Sequence, residues 1–311
     1  MRRAAWAGLV VLALTYVFLR SGWDFGYVIP RRLMRLASML VGGVCIAWSS
    51  IAFQTLTGNR ILTPAVMGYE AVYLLLQSLL VLGLGVHSLV VLGPGSNFFA
   101  SVLLMLAYSW ALHRWLFRDG RNDVHFLLLL GLVLSLVMGT ATQFVQFRTS
   151  PGEFSLLQGF TQASFQRVQL EQLLAAAALV ALVGLVGRKT LPTLDVLTLG
   201  RDQALSLGVD HHRAVRLQLV LIATLVAVST SLLGPTAFMG VFVANTAYAL
   251  ARTARHRATL PVGCAVAVGM FIAAQLAVEH VFNHRTTVGI LVNLFCGVYF
   301  LAHMVRTRGN A

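Results

Sequence analysis

The chain has 311 residues, of which 58% are hydrophobic and 11% charged, with a mean hydropathy of +0.80. A water-soluble fold of this length cannot bury so much apolar surface, so lipid is the expected solvent, and no polar stretch is long enough for a separate soluble catalytic domain. The net charge of +13 comes from 23 basic residues, all arginine except Lys189, set in short loops between apolar runs; that pattern orients a membrane protein and offers no basic stripe with interleaved aromatics for nucleic acid.

A membrane-crossing helix needs about 20 apolar residues. Runs of that kind fall at residues 4–19, 34–57, 65–86, 98–117, 124–147, 171–187, 214–232, 237–251, 259–280 and 288–305. They predict an all-α, polytopic bundle of about ten transmembrane helices in one domain, 1–311. The first run looks like a secretory signal, but no small-x-small cleavage site precedes Arg20, so it reads as a retained span. With the N-terminus inside, most of the 23 basic residues lie in inner segments, which predicts that both termini are cytoplasmic.

The segment RSGWDFGYVIPRRLMR is basic on the outer side, against that trend. Arg32 and Arg35 are three residues apart and share a helical face. They suit docking of carboxylates on an external partner, or contact with lipid headgroups by snorkelling. Gly58 and Pro64 mark a tight cytoplasmic connection. Glu70 is placed about two turns inside the third run, where a carboxylate is costly and faces a bundle interior or a water-filled path; with Tyr69 and Gln77 it either lines a pathway or ties neighbouring spans. Gly93-Pro94-Gly95 breaks the next outer turn, and 117–123 is a short inner turn of mixed charge. Residues 147–169 are too long for a simple turn and too polar to span, which predicts one or two short helices on the outer surface.

The longest polar interruption on the cytoplasmic side is Leu191–Arg216. Gly200 and Gly208 bracket a stretch long enough for two helical turns, with Leu199, Leu205 and Leu207 on a greasy side and Arg201, Asp202 and Gln203 on a wet one. Such a helix suits docking into a groove on a soluble partner; an ordinary surface loop is the other reading. Further on, Gly234-Pro235 breaks the backbone, and Gly240, Ala244 and Ala247 allow close helix approach. Asn245 and Asn293 are lone amides suited to bonds within the bundle. Glu279, His280 and His284 form a polar cap at a span end rather than a clean metal-ligand set. Cys45, Cys264 and Cys296 lie in apolar runs without ligand spacing, as packing residues. No nucleophile with a base and no phosphate-binding loop occurs, so the sequence carries no sign of catalysis.

Taken together, SSIAFQTLTGNRILTPAVMGYEA, LTLGRDQALSLGVD, GPTAFMGVFVANTAYAL and VEHVFNHRTTVGILVNLFCGVYFL resemble, in order and spacing, the permease subunits of ABC importers for iron–siderophore complexes and vitamin B12. The resemblance implies the type II importer permease fold in the bacterial inner membrane. It implies a dimer of permeases, two ATP-binding subunits and a periplasmic siderophore-binding protein, with ATP and Mg held by the ATPase subunits and no cofactor or metal on this chain. A coupling segment at about 191–212 is implied, with Leu199, Gly200, Arg201, Asp202, Ala204, Leu207, Gly208 and Val209 seated on the ATPase. Arg32, Arg35 and Arg285 match the positions that dock the binding protein, and Gln54, Tyr69, Glu70, Asn245 and Asn293 are the candidate pathway residues. The segment from Asn59 to Pro64, followed by Gly68-Tyr69-Glu70, departs from the commoner family pattern and is similar to the second permease of importers with two different permease chains, which favours a heterodimer. An ion-coupled secondary transporter using Glu70 and Glu279 is the alternative outside that family.

Overall fold

The computed structural model describes residues 2–19, 24–85, 88–116, 124–236 and 238–308. Among them every regular element is a helix, with no strand. The helices are α1 (Arg2–Phe18), α2 (Val28–Thr57), α3 (Tyr69–Leu84), α4 (Ser88–Leu116), α5 (Val124–Gln146), α6 (Pro151–Thr161), α7 (Leu170–Leu197), α8 (Arg201–Ser206), α9 (His211–Leu233), α10 (Met239–Ala251), α11 (His256–His280) and α12 (Val288–Arg308), with a 3-10 turn at Pro64–Met67 before α3. Six helices among the described residues are long and apolar enough to cross a membrane, and α1, α3, α10 and α12 supply four shorter apolar stretches. These are the ten spans that hydropathy predicts. The inner turn expected at 117–123 lies outside the described residues.

Along their most apolar stretches α2 and α9 are 67% and 72% buried, against 22% for α5, so α2 and α9 form the centre of the bundle and α5 its rim. Lipid offers no hydrogen bonds, so polar groups in the centre are satisfied within the chain. On α2, Ser38 donates to the Arg35 carbonyl at 2.7 Å and Ser49 to that of Ile46 at 3.3 Å. Between α3 and α4, Gln77 and Asn97 exchange side-chain amide bonds of 3.0 and 3.1 Å, and Gln77 also donates to Ser101 at 3.1 Å. Cys45 and Cys296 are buried free thiols and Cys264 is half-buried. The rim helix α5 comes close because Gly131 has no side chain: a Cβ there would lie 2.7 Å from the Met67 Cα.

Several boundaries differ from the hydropathy reading: α2 and α4 begin earlier, at Val28 and Ser88, and α4 is kinked at Gly93 (φ 69°), within the Gly-Pro-Gly break. The sixth span does not stop at 187; α7 continues through Pro192 and Asp195 to Leu197. Leu191, Leu194 and Leu197 recur on one buried face there, and Gln218 of α9 donates to Thr190 at 2.9 Å, so packing holds a helix that the polar residues would interrupt. The tail of the Leu191–Arg216 interruption is likewise helical, as the first turns of α9. The third span begins later than expected. Gly68 (φ 87°) separates the 3-10 turn from α3, which puts Glu70 in the first turn of α3 rather than two turns inside a continuous helix. The polar segment 147–169 holds one short helix, α6, closed by a capping box of Ser150 and Glu153.

At 28 residues α7 is about 42 Å long and separates two ends. One carries α8; the other carries α6, the start of α2 and the end of α11.

Candidate coupling and transport sites

α8 is bounded by Gly200 (φ 94°) and Gly208 (φ 79°), both in the left-handed region that costs a side-chain-bearing residue about 1–2 kcal/mol. Those two turns detach it from α7 and α9. The helix is held by one buried side chain, Ala204, and by backbone bonds from Gly208 to Leu205 and from Val209 to Ala204, each 3.0 Å. Asp210 then caps α9 by accepting from the Arg213 N–H at 3.1 Å. Leu199, Leu205 and Leu207 are 52%, 51% and 61% exposed, and Arg201, Asp202 and Gln203 are exposed beside them. The fold therefore presents leucines at one end of the bundle on an element too short to bury them itself.

At the opposite end, Arg32 and Arg35 turn inward, as their shared helical face requires. Glu279 of α11, with 7% of its side chain exposed, lies 3.6 Å from Arg32 Nη2 and 3.3 Å from Arg35 Nη1. Gln275 also donates to it at 2.6 Å. Arg32 Nη1 donates further to the carbonyls of Tyr16, Val17 and Leu19 at 2.9, 3.3 and 2.6 Å. A guanidinium with fixed planar donors is suited to closing the last turn of α1 and a carboxylate together. Neither arginine is a free outer-surface cation; Arg35 keeps 24% of its side chain exposed and Arg32 12%. Arg285, between α11 and α12, is exposed. Glu279 thus serves an ion pair, and among the described residues no group of three His, Cys, Asp or Glu could hold a metal ion. Arg35, Gln77 and Asn97 face a cavity of about 470 Å³ at this end, with Tyr73 and Gln172.

The candidate pathway residues do not form one cluster. Gln54 and Asn245 converge on the Arg60 carbonyl, at 2.7 and 3.1 Å, and line a recess of about 880 Å³ at the α8 end. Tyr69 is fully buried, bonded to Ser109 at 3.0 Å and edge-on to Tyr108. Asn293 is half-buried on α12, its Oδ1 without a hydrogen-bond partner among the described residues. Glu70 accepts the Thr236 N–H at 2.9 Å, so the first turn of α3 meets the irregular backbone between α9 and α10. Glu70 also opens onto a groove of about 630 Å³ that runs along α5 past Ser135, Thr142, Gln143 and Gln146. Sequence reading missed this polar side of α5; its signal is the spacing of Ser135, Gly139, Thr142, Gln143 and Gln146 in an otherwise leucine-rich helix.

Ten apolar helices, with a short helix presenting exposed leucines at one end, define a polytopic membrane bundle. The fold is that of type II ABC importer permeases: a metal-chelate type ABC transporter solved in an inward-facing conformation superposes with a TM-score of 0.83, at 18% identity, over 98% of this chain and 99% of that one. The chain belongs to the FecCD transport family, whose pattern matches residues 7–306. It is similar to the petrobactin import system permease protein YclO of Bacillus subtilis, 33% identical over 97% of this chain and 96% of the relative. The petrobactin import system permease protein FatC of Bacillus anthracis is 30% identical over 90% of this chain and 79% of the relative.

Proposed function

We propose that the chain is one permease of a heterodimeric importer that brings a ferric siderophore across the bacterial inner membrane and performs no chemistry itself. Two ATP-binding subunits sit beneath the permease pair, one of them gripping α8 from the cytoplasm, where both termini also lie, and a periplasmic binding protein delivers the chelate at the far end. Family membership and the petrobactin permeases among the relatives support the substrate class. The observation that carries the coupling role is α8: two positive-φ glycines, one buried alanine and leucines more than half exposed.

The Glu70 groove is this chain's half of the path, closed by the second permease. Irregular backbone at membrane depth is tolerated where it is buried in protein or borders a water-filled cavity, and the Glu70–Thr236 contact sits at such a junction. The recess with Gln54 and Asn245 is the inner mouth. Arg285, and Arg35, which also pairs with Glu279 but keeps 24% of its side chain exposed, are the docking candidates for the binding protein, since Arg32 is further tied to the α1 carbonyls. Leu207→Asp tests the coupling role in the assembled importer. ATPase stimulation by the loaded binding protein and uptake should both fall at least tenfold while the chain remains in the membrane; undiminished stimulation and uptake would refute the assignment.

A further inference from the structure

We infer that Asp195, the buried His256 and Thr55 form a strut that carries movement of α8 to the inner recess, as positioning residues for transport. The inference rests on the coupling role proposed for α8. That helix is anchored by little more than Ala204, so its motion can reach the bundle only through the helices it joins. Asp195 lies in the last turn of α7, six residues before α8 begins.

One oxygen of Asp195, Oδ1, accepts two bonds from a single residue. The His256 backbone N–H donates at 2.8 Å and the ring Nδ1 lies at 2.6 Å. His256 is the first residue of α11, whose N-cap, Arg255, makes no side-chain capping bond. Asp195 therefore caps α11 from a different helix, a role favoured by the positive end of the helix dipole. The other ring nitrogen, Nε2, lies 2.9 Å from Thr55 Oγ1 in the last turn of α2. His256 is 1% exposed. Three helices, α7, α11 and α2, are thus pinned to one imidazole at the α8 end.

The pin also borders the recess. Thr55 and His256 lie in its wall with Gln54, Arg60 and Asn245, and the last three form the hydrogen-bonded turn that shapes its mouth. Proton bookkeeping gives the strut a defined direction. Thr55 has a single hydroxyl proton and three neighbours for it, His256 Nε2, the Ile51 carbonyl at 3.0 Å and the Tyr248 hydroxyl. Whichever takes it, Nδ1–H stays on Asp195, so the α7–α11 joint is the fixed one and the α11–α2 joint the one that can exchange partners. A shift of α8 and the end of α7 then pulls the start of α11 first, and the α2 wall of the recess follows through Thr55.

The test uses the importer assembled with a second permease, an ATPase and a binding protein in proteoliposomes. Ferric petrobactin uptake and phosphate release are measured together, normalised to the amount of chain in the membrane. Thr55→Val keeps the shape and removes the second joint; Asp195→Leu removes the first, and Asp195→Asn keeps an acceptor oxygen in place. The expected result is phosphate release within about twofold of wild type in all three. Uptake per ATP falls at least fivefold in Thr55→Val and Asp195→Leu and recovers in Asp195→Asn. A purely architectural role would lower both activities together, or leave uptake per ATP unchanged, and either result overturns the strut. A wild-type importer without ATP-dependent uptake would instead sink the functional reading itself.

Discussion

Replacing Glu279 with glutamine removes the negative charge at the far end of the bundle while keeping its shape. The carboxylate is 7% exposed, 3.3 Å from Arg35 and 3.6 Å from Arg32. At an effective dielectric of about 20, each contact is worth about 5 kcal/mol before desolvation is counted. Desolvation offsets most of that gross attraction, but the comparison that matters is with the variant, which leaves two arginines facing each other without a counter-charge. Breaking a buried pair in this way costs about 3–5 kcal/mol. The three carbonyls of α1 continue to hold Arg32, and Arg35 is partly hydrated, so the lower end of that range applies. By the relation for large domains, a loss of about 3 kcal/mol lowers the thermal midpoint by roughly 6–12 °C, read by fluorescence-detected size exclusion in detergent. Arg35→Gln in the Glu279→Gln background removes one unpaired cation, so the double variant should lose clearly less than the sum of the two singles. An unchanged midpoint for Glu279→Gln, or strictly additive losses, would refute the ion-paired arrangement.

Two further substitutions probe the bundle. Gly131→Ala places a Cβ 2.7 Å from the backbone of Met67, where no side chain can yield; overpacking of that kind costs about 1–3 kcal/mol, and a wild-type thermal midpoint would show that α5 does not seat there. Gln77→Leu leaves the amide of Asn97 without its reciprocal partner, for a loss of about 1–2 kcal/mol. Adding Asn97→Leu should recover part of that loss in the same melting assay, and independent effects of the two changes would argue against the paired amides.

Much of this architecture is legible in the amino-acid order because lipid imposes a simple rule. A span must be apolar and satisfy its own backbone, so hydropathy finds ten of them. Gly200 and Gly208 likewise announce α8 locally, since the left-handed turns they adopt strongly favour glycine. The three-residue spacing of Arg32 and Arg35 already puts them on one face. What that face meets is another matter: Glu279 lies 244 residues from Arg35 in the chain, and only the packing of α11 on α2 converts two apparent surface cations into an interior ion pair. The same holds for Asp195, which local polarity assigns to a loop. The leucine stripe of α7 keeps it helical, and the fold then sets it against the uncapped start of α11. Chain order thus determined the spans and the isolated coupling helix, because those depend on solvent and backbone freedom alone. Tertiary structure decided which charges and amides face one another, because those contacts join residues that no local pattern relates.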